Sequence, residues 1–167
     1  VGYIEKYILS LISHLMPVHS PMMCGAIYAR KYLGISDKLA FISPCIAKKN
    51  EIEDPDCKGY ISYNVTFDHL MDYVRRHGIS GAPVRDEIEY GLGSIYPMPG
   101  GLKENVYWFC GEDMFIRQIE GEKHAYHFLQ EYEKRIGAGK ELPFMVDALN
   151  CTNGCIYGTG VDRDREE

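Results

Sequence analysis

The sequence has no apolar run approaching the roughly 20 residues of a membrane span, so it predicts no membrane-spanning helix and no membrane partner. It has no long basic run either, and its formal net charge is -6. A phosphate backbone would meet mostly repulsion, and nucleic acid is not an expected partner. Val1 to Met16 carries Glu5, Lys6, Ser10, Ser13 and His14 at helical intervals and reads as an amphipathic helix rather than a signal peptide. The six cysteines therefore do not argue for disulfides, and a reducing, cytoplasmic setting is expected. A P-loop is missing, and Gly91-Leu92-Gly93 lacks the following helix-opening glycine of a dinucleotide fingerprint. Ser/Gly-rich linkers, internal repeats and low-complexity tracts are missing too. Acidic pairs such as Asp54 and Asp56 sit in a polar stretch and read as solvated rather than as an acid-base dyad.

What is present is an ordinary globular composition: 167 residues, 46% hydrophobic and 25% charged. That is enough chain to bury a core without staples. Ile4, Ile8, Leu11, Ile12 and Leu15 recur at helical spacing up to Pro17, and Ser20-Pro21 opens a second helix. Lys38 to Ser43 predicts a buried strand with Cys45 just past its end. Tyr60 to Val65 predicts another, followed by a helix through Phe67, Leu70, Met71 and Val74 with Thr66 as N-cap and Gly78 as terminator. Ile79 to Glu89 reads as a polar loop, and the region 79-90 is the expected lobe boundary. The Gly- and Pro-rich stretch from Gly91 to Gly101 is a shaped loop. A helix from Leu102 to Cys110, a strand from Met114 to Ile119, a helix from Glu122 to Ile136 and a strand from Pro143 to Leu149 complete an α/β pattern. Cys151 again falls just beyond a strand end, where active residues of open α/β sheets lie.

The thiols divide by context. Cys24 and Cys110 read as small buried residues and Cys57 as an exposed, inert thiol. Cys45, Cys151 and Cys155 read differently. Asn153, Gly154, Gly158 and Gly160 around the C-x-x-x-C pair argue for a loop that brings backbone close to a bound group, although such a pair on a helix would only be two small residues on one face. An iron-sulfur cube wants one soft thiolate per iron corner, and these three would supply three. Lys48, three residues after Cys45, suits a thiolate or an anionic ligand; alternatively, Lys48-Lys49 is a solvated pair balanced by Glu51, Glu53 and Asp54. A structural zinc site from the same cysteines and a histidine is a weaker alternative, because no close His-Cys spacing occurs.

Ser43-Pro44-Cys45-Ile46-Ala47-Lys48-Lys49-Asn50-Glu51 resembles the second active-site motif of FeFe hydrogenases, and Asp147 to Gly158, DALNCTNGCIYG, resembles the third. Ser20-Pro21 with Gly25-Ala26, Tyr63-Asn64-Val65-Thr66, and Gly91-Leu92-Gly93 with Gly100-Gly101 follow the family order. The resemblance implies part of a two-lobed α/β catalytic domain, with short, mostly parallel sheets flanked by helices. It also implies an H-cluster: a 4Fe-4S cube joined through one cysteine to a di-iron subcluster with carbon monoxide, cyanide and a dithiolate. The reaction implied is interconversion of hydrogen with protons and electrons, the partners being electron-transfer or signalling domains of a longer chain. By motif position Cys45 and Cys151 would bind the cube, Cys155 would bridge it to the di-iron unit, and Lys48 would donate to a cyanide. Glu51 would hold the loop, and Pro44 and Tyr96 would line the pocket. The family's first motif, with the fourth cube ligand, is not found, so this stretch alone is expected to hold no intact cluster and to have no hydrogenase activity. Ser43 and Leu149 stand where catalytic members have methionines, Met22 replaces a glutamine, and Pro97 replaces a glycine. Those changes resemble the sensory branch of the family. A cube-only iron-sulfur interaction protein of the same superfamily is the alternative.

Overall fold

Among the described residues, short runs rich in β-branched and apolar residues form four strands, and their pairing is parallel. In the computed structural model, which describes residues 1–82 and 91–163, β1 (Ala40–Ser43) pairs with β2 (Tyr63–Thr66), and β3 (Ile116–Glu120) pairs with β4 (Met145–Leu149). Parallel neighbours cannot be closed by a hairpin and need a crossover. Helix α3 (Lys48–Glu53) lies in the first crossover and α6 (Glu122–Gly137) in the second. The predicted α/β architecture of short parallel sheets and helices is the one observed. The short helix α3 was not legible from periodicity, since only Ile52 on it is buried. The boundary expected near 79–90 falls largely on residues 83–90, outside those described, as do the last four residues of the charged end.

The chain divides into two compact units. One comprises Val1–Met16 and Asp86–Tyr157; the other comprises Pro17–Arg85 and Gly158–Glu167. In the latter, Met22, Met23 and Ala26 of α2 (Pro21–Lys31) pack with Ile52 and Ile61, and Leu39, Phe41 and Tyr60 close the edge of this core. Helix α2 begins as its sequence predicts: Ser20 Oγ accepts from the Met23 N–H at 3.3 Å, and Pro21 occupies the first turn. Cys24 is exposed, contrary to expectation, because the inward face is taken by residues 22, 23 and 26. Cys57 corrects in the other direction. It is half-buried against the core, and burial together with the carboxylates of Glu51, Asp54 and Asp56 pushes its thiol up, keeping it protonated and inert.

The predicted cap of α4 (Phe67–Arg76) also works differently. Thr66 stands at the N-cap in extended conformation, but its side chain makes no cap bond and instead meets His69 Nδ1 at 3.1 Å. The Asp68 N–H donates to the Gly160 carbonyl at 3.1 Å. A returning segment thus satisfies a helix-end donor that a side chain was expected to satisfy.

In the other unit, Ile4, Ile8 and Leu11 form a buried cluster against Leu129, Tyr132 and Ile136 of α6, and Tyr3 stacks on Tyr126 with ring centroids 3.8 Å apart. The single amphipathic helix expected over Val1 to Met16 is broken. Helix α1 (Gly2–Tyr7) ends at Ile8 (φ -139°, ψ 63°), and Leu9–His14 continue as a 3-10 helix. Three residues per turn place Leu11 over Ile8 and swing Ile12 outward, where it is 46% exposed. The stretch from Gly91 onward contains a 3-10 turn, Leu92–Ile95, before α5 (Gly101–Cys110). Only Gly101 of α5 is buried, so Cys110 at its far end is exposed, where burial was expected. Leu11 is 2% exposed, so Leu11→Ala should destabilise this unit by about 3 kcal/mol through lost burial and a residual cavity. Thermal and denaturant unfolding of the variant check this.

Candidate functional site

The first cysteine loop leaves β1 at Ser43, which is fully buried. Pro44 ends the strand, and its carbonyl accepts from the Gly160 N–H at 2.9 Å. The Cys45 N–H donates to Ser43 Oγ at 3.3 Å, the Cys45 carbonyl accepts from Asn64 Nδ2 at 3.0 Å, and the Ile46 N–H donates to Thr159 Oγ1 at 3.3 Å. Three consecutive residues are therefore held from both sides. Gly160 is required by space: a Cβ there would stand 2.5 Å from Thr66 Cγ2. Pro44 and Cys45 are half-buried.

Helix α3 follows directly and carries the charged pair. Lys48 Nζ lies 2.5 Å from Glu51 Oε2, with about a third of each side chain exposed (30% and 27%), and Ser20 Oγ donates to the other oxygen, Glu51 Oε1. One carboxylate thus ties the start of α2 to the ammonium group of α3. Lys49 behaves otherwise. It reaches Glu53 only at 3.8 Å on an exposed surface, the kind of ion pair that contributes little. The two lysines read together in the sequence have separate roles.

The second cysteine loop leaves β4 at Leu149. Tyr126 Oη donates to Asn150 Oδ1 at 3.0 Å, and the Gly154 N–H donates to the Cys151 carbonyl at 3.1 Å, a tight turn with Gly154 at φ +82°. The Cys155 N–H donates to the Pro97 carbonyl at 2.7 Å. A Cβ on Gly154 would lie 2.7 Å from that same oxygen, so the backbone approach requires glycine in conformation and in space. Half-buried Tyr96 precedes Pro97, its N–H donating to Gly93 O at 3.3 Å. Cys151 and Cys155 are half-buried. Beneath the loop, buried Asp147 accepts from the Lys103 N–H at 3.1 Å, at the start of α5. Burial raises its carboxyl above the ordinary 3.8, with Glu120 adding to the rise and the Lys103 amide and charge opposing it.

The structure therefore gathers Pro44, Cys45, Lys48 and Glu51 on one loop and the helix turn after it, and Tyr96, Cys151 and Cys155 on another loop pair. The first set belongs to the unit containing β1 and β2, the second to the unit containing β3 and β4. No disulfide joins the six cysteines. Among the described residues, no group of three or more His, Cys, Asp or Glu side chains is arranged to hold a single metal ion. Sequence reasoning named Ser20, Asn64 and Pro97 but did not give them the contacts by which they hold the loops, and it passed over Thr159. Asn64 left one signal, because an amide side chain in a short strand is disfavoured unless something uses it.

Residues 1–120 match the family described as iron only hydrogenase large subunit, C-terminal domain, and the chain belongs to that family. The matched residues include Cys45, Lys48 and Glu51; Cys151 and Cys155 lie beyond them. No curated protein sequence matches the chain. Among solved structures it is similar to the [FeFe]-hydrogenase HydA(deltaEFG), from a study of stepwise H-cluster assembly, with 16% identity and a TM-score of 0.67 over all of this chain and 60% of that one. It is also similar to a variant of the [FeFe]-hydrogenase HydA1 from Chlamydomonas reinhardtii, with 15% identity and a TM-score of 0.66 over all of this chain and 61% of that one. An apo variant of the same enzyme gives 16%, 0.65 and 60% of its length. The fold, helices with short parallel sheets, is that of these hydrogenases. The chain spans about 60% of their length.

Two substitutions test the second loop. Gly154→Ala, which meets both a positive φ and the Pro97 carbonyl, should cost about 1–3 kcal/mol in a denaturant melt. Because the folded state raises the carboxyl of Asp147, that residue binds its proton more tightly folded than unfolded. Its contribution to stability is fully present below the ordinary 3.8 and is lost as pH rises through the higher folded value. Asp147→Asn, which keeps an acceptor for Lys103, should therefore raise the melting temperature near neutral pH and lose that advantage below 3.8.

Proposed function

We propose that this chain forms cluster-binding walls of an iron-only hydrogenase-type domain, with Cys45, Cys151 and Cys155 as thiolate ligands, and that the whole protein interconverts or senses hydrogen, protons and electrons. The observation that carries this reading is the placement of soft thiols on Pro- and Gly-shaped loops at the carboxyl ends of parallel strands, in a chain of this family. The donor set suits an H-cluster. A cube is ligated at separate iron corners, one thiolate each, so its ligands need not converge on one point as those of a zinc ion do. A cube takes a fourth ligand beyond these three. When bound, the H-cluster supplies iron-centred redox chemistry for making or splitting hydrogen.

The chain's own residues would hold and position that group. Cys45 and Cys151 would serve the cube and Cys155 the bridge to the di-iron unit. Pro44 and Tyr96 would each contribute to the lining of the cluster pocket in the whole domain. Glu51, fastened by Ser20, keeps the Lys48 ammonium half-buried near the thiol loop, where a cation compensates anionic ligands. The electron route and the partners are those of the whole protein, an electron-transfer or signalling domain in a reducing cytoplasm. No described helix is long and apolar enough to cross a membrane.

Two observations favour sensing over turnover. Where catalytic members resemble one another in methionine and glycine, this chain has a fully buried Ser43 engaged by hydrogen bonds and a Pro97 that offers a carbonyl acceptor and no N–H. Anaerobic reconstitution of the complete natural protein should give about four irons and four sulfides in the cube site. Cys45→Ala, Cys151→Ala and Cys155→Ala should each remove them, and unchanged iron in these variants would overturn the ligand assignment. Carbon monoxide and cyanide infrared bands after maturation separate an H-cluster from the cube-only interaction protein, and hydrogen turnover separates catalysis from sensing.

A further inference from the structure

The backbone of Cys45 is enclosed in a ring of hydrogen bonds that begins and ends on the same residue. Its N–H donates to Ser43 Oγ at 3.3 Å, Ser43 Oγ donates to Asn64 Oδ1 at 2.7 Å, and Asn64 Nδ2 donates back to the Cys45 carbonyl at 3.0 Å. Ser43 Oγ also lies 3.0 Å from that carbonyl, but a hydroxyl has one proton and the shorter contact takes it. The ring fixes the orientation of the Asn64 amide, since the reversed amide would set oxygen against the Cys45 carbonyl.

Strand register makes the ring possible. Ser43 is opposite Thr66, and Asn64, two residues earlier on β2, shares its face and is its diagonal neighbour. Ser43 is 0% exposed and Asn64 half-buried, so the ring lies where an unmet polar group would be costly, and every member of it is met. A satisfied buried network of this kind is rigid, and its rigidity is delivered to one residue.

We propose that Asn64 is a positioning residue for Cys45: acting through Ser43 and the Cys45 carbonyl, it sets where the thiol stands at the end of β1. The inference rests on the ligand role proposed above, although the ring itself does not. Asn64→Leu removes both amide bonds at similar volume. Asn64→Asp keeps the acceptor for Ser43 and removes the donor to Cys45.

Amide hydrogen exchange, followed by NMR on the intact chain, reads the ring directly. The Cys45 amide should exchange on the order of tenfold faster in Asn64→Leu, the effect of one or two lost hydrogen bonds of ordinary net strength. The effect should be smaller in Asn64→Asp, and amides within α2 should be unchanged. Equal acceleration throughout the unit, or no change at Cys45, would overturn the proposal. If Asn64→Leu fails to fold, Asn64→Asp carries the same comparison. In the iron-loaded natural protein, Asn64→Leu should keep its iron and show a shifted reduction potential, and an unchanged potential would also overturn it. A selective response at Cys45 in a protein that binds no iron would refute the ligand reading and leave the ring standing. Bound iron with no response at Cys45 would do the reverse.

Discussion

Two parallel strands cannot be joined by a tight turn, and most of this structure follows from that constraint. Each pair needs a helix to carry the chain back, which accounts for α3 between β1 and β2 and α6 between β3 and β4. Once the helix packs on its sheet, the carboxyl ends of the strands open into loops, and β1 and β4 there release Cys45 and Cys151. The hydrophobic clusters serve the same arrangement. Met22, Met23, Ala26, Ile52 and Ile61 fix the first strand-helix-strand unit, and the N-terminal residues pack on α6 in the other.

Loops at strand ends carry backbone groups that no ladder satisfies, and here those groups are met individually. The segment from Pro44 to Ile46 uses Ser43, Asn64, Thr159 and the Gly160 amide, and the segment around Cys155 uses the carbonyl of Pro97. Glycine appears where a side chain would obstruct these contacts, at Gly154 against Pro97 and at Gly160 against Thr66. The thiols therefore stand on backbone whose polar groups are largely committed, and half-buried Lys48 is committed to Glu51. Side chains presented this way lose little freedom when they take a ligand.

The fold is shared with hydrogenases at 15–16% identity. The overall fold persists at TM-scores of 0.66 and 0.67, since cores accept extensive hydrophobic substitution when volume and pattern are kept. Ser43 and Pro97, read in the sequence as departures from the family pattern, have local uses here. Ser43 is the buried last residue of β1 and Pro97 stands in a loop, and each is used locally, Ser43 in the hydrogen-bond ring and Pro97 as an acceptor for Cys155.

Much of this was legible in the amino-acid order. Periodicity located the long helices and the four strands, Ser20-Pro21 announced α2, and the two cysteine motifs marked both loops and the family. These are local signals, carried by residues close together in the chain. The misreadings share the opposite property. The break at Ile8 reflects packing of Ile4, Ile8 and Leu11 on α6, more than a hundred residues away in sequence (8 against 129 to 136). The burial of Cys57, the exposure of Cys24 and Cys110, and the replacement of the Thr66 cap by Gly160 depend on what the rest of the fold brings alongside. Sequence by itself thus determined the strands, the longer helices, their order and the candidate ligands. Tertiary structure alone decided that Asn64 faces Ser43, that Glu51 joins Lys48 to Ser20, and that Gly160 seats on Pro44. A hydrogen bond depends on position and angle in space, and strand register and chain return supply both without leaving a trace in spacing.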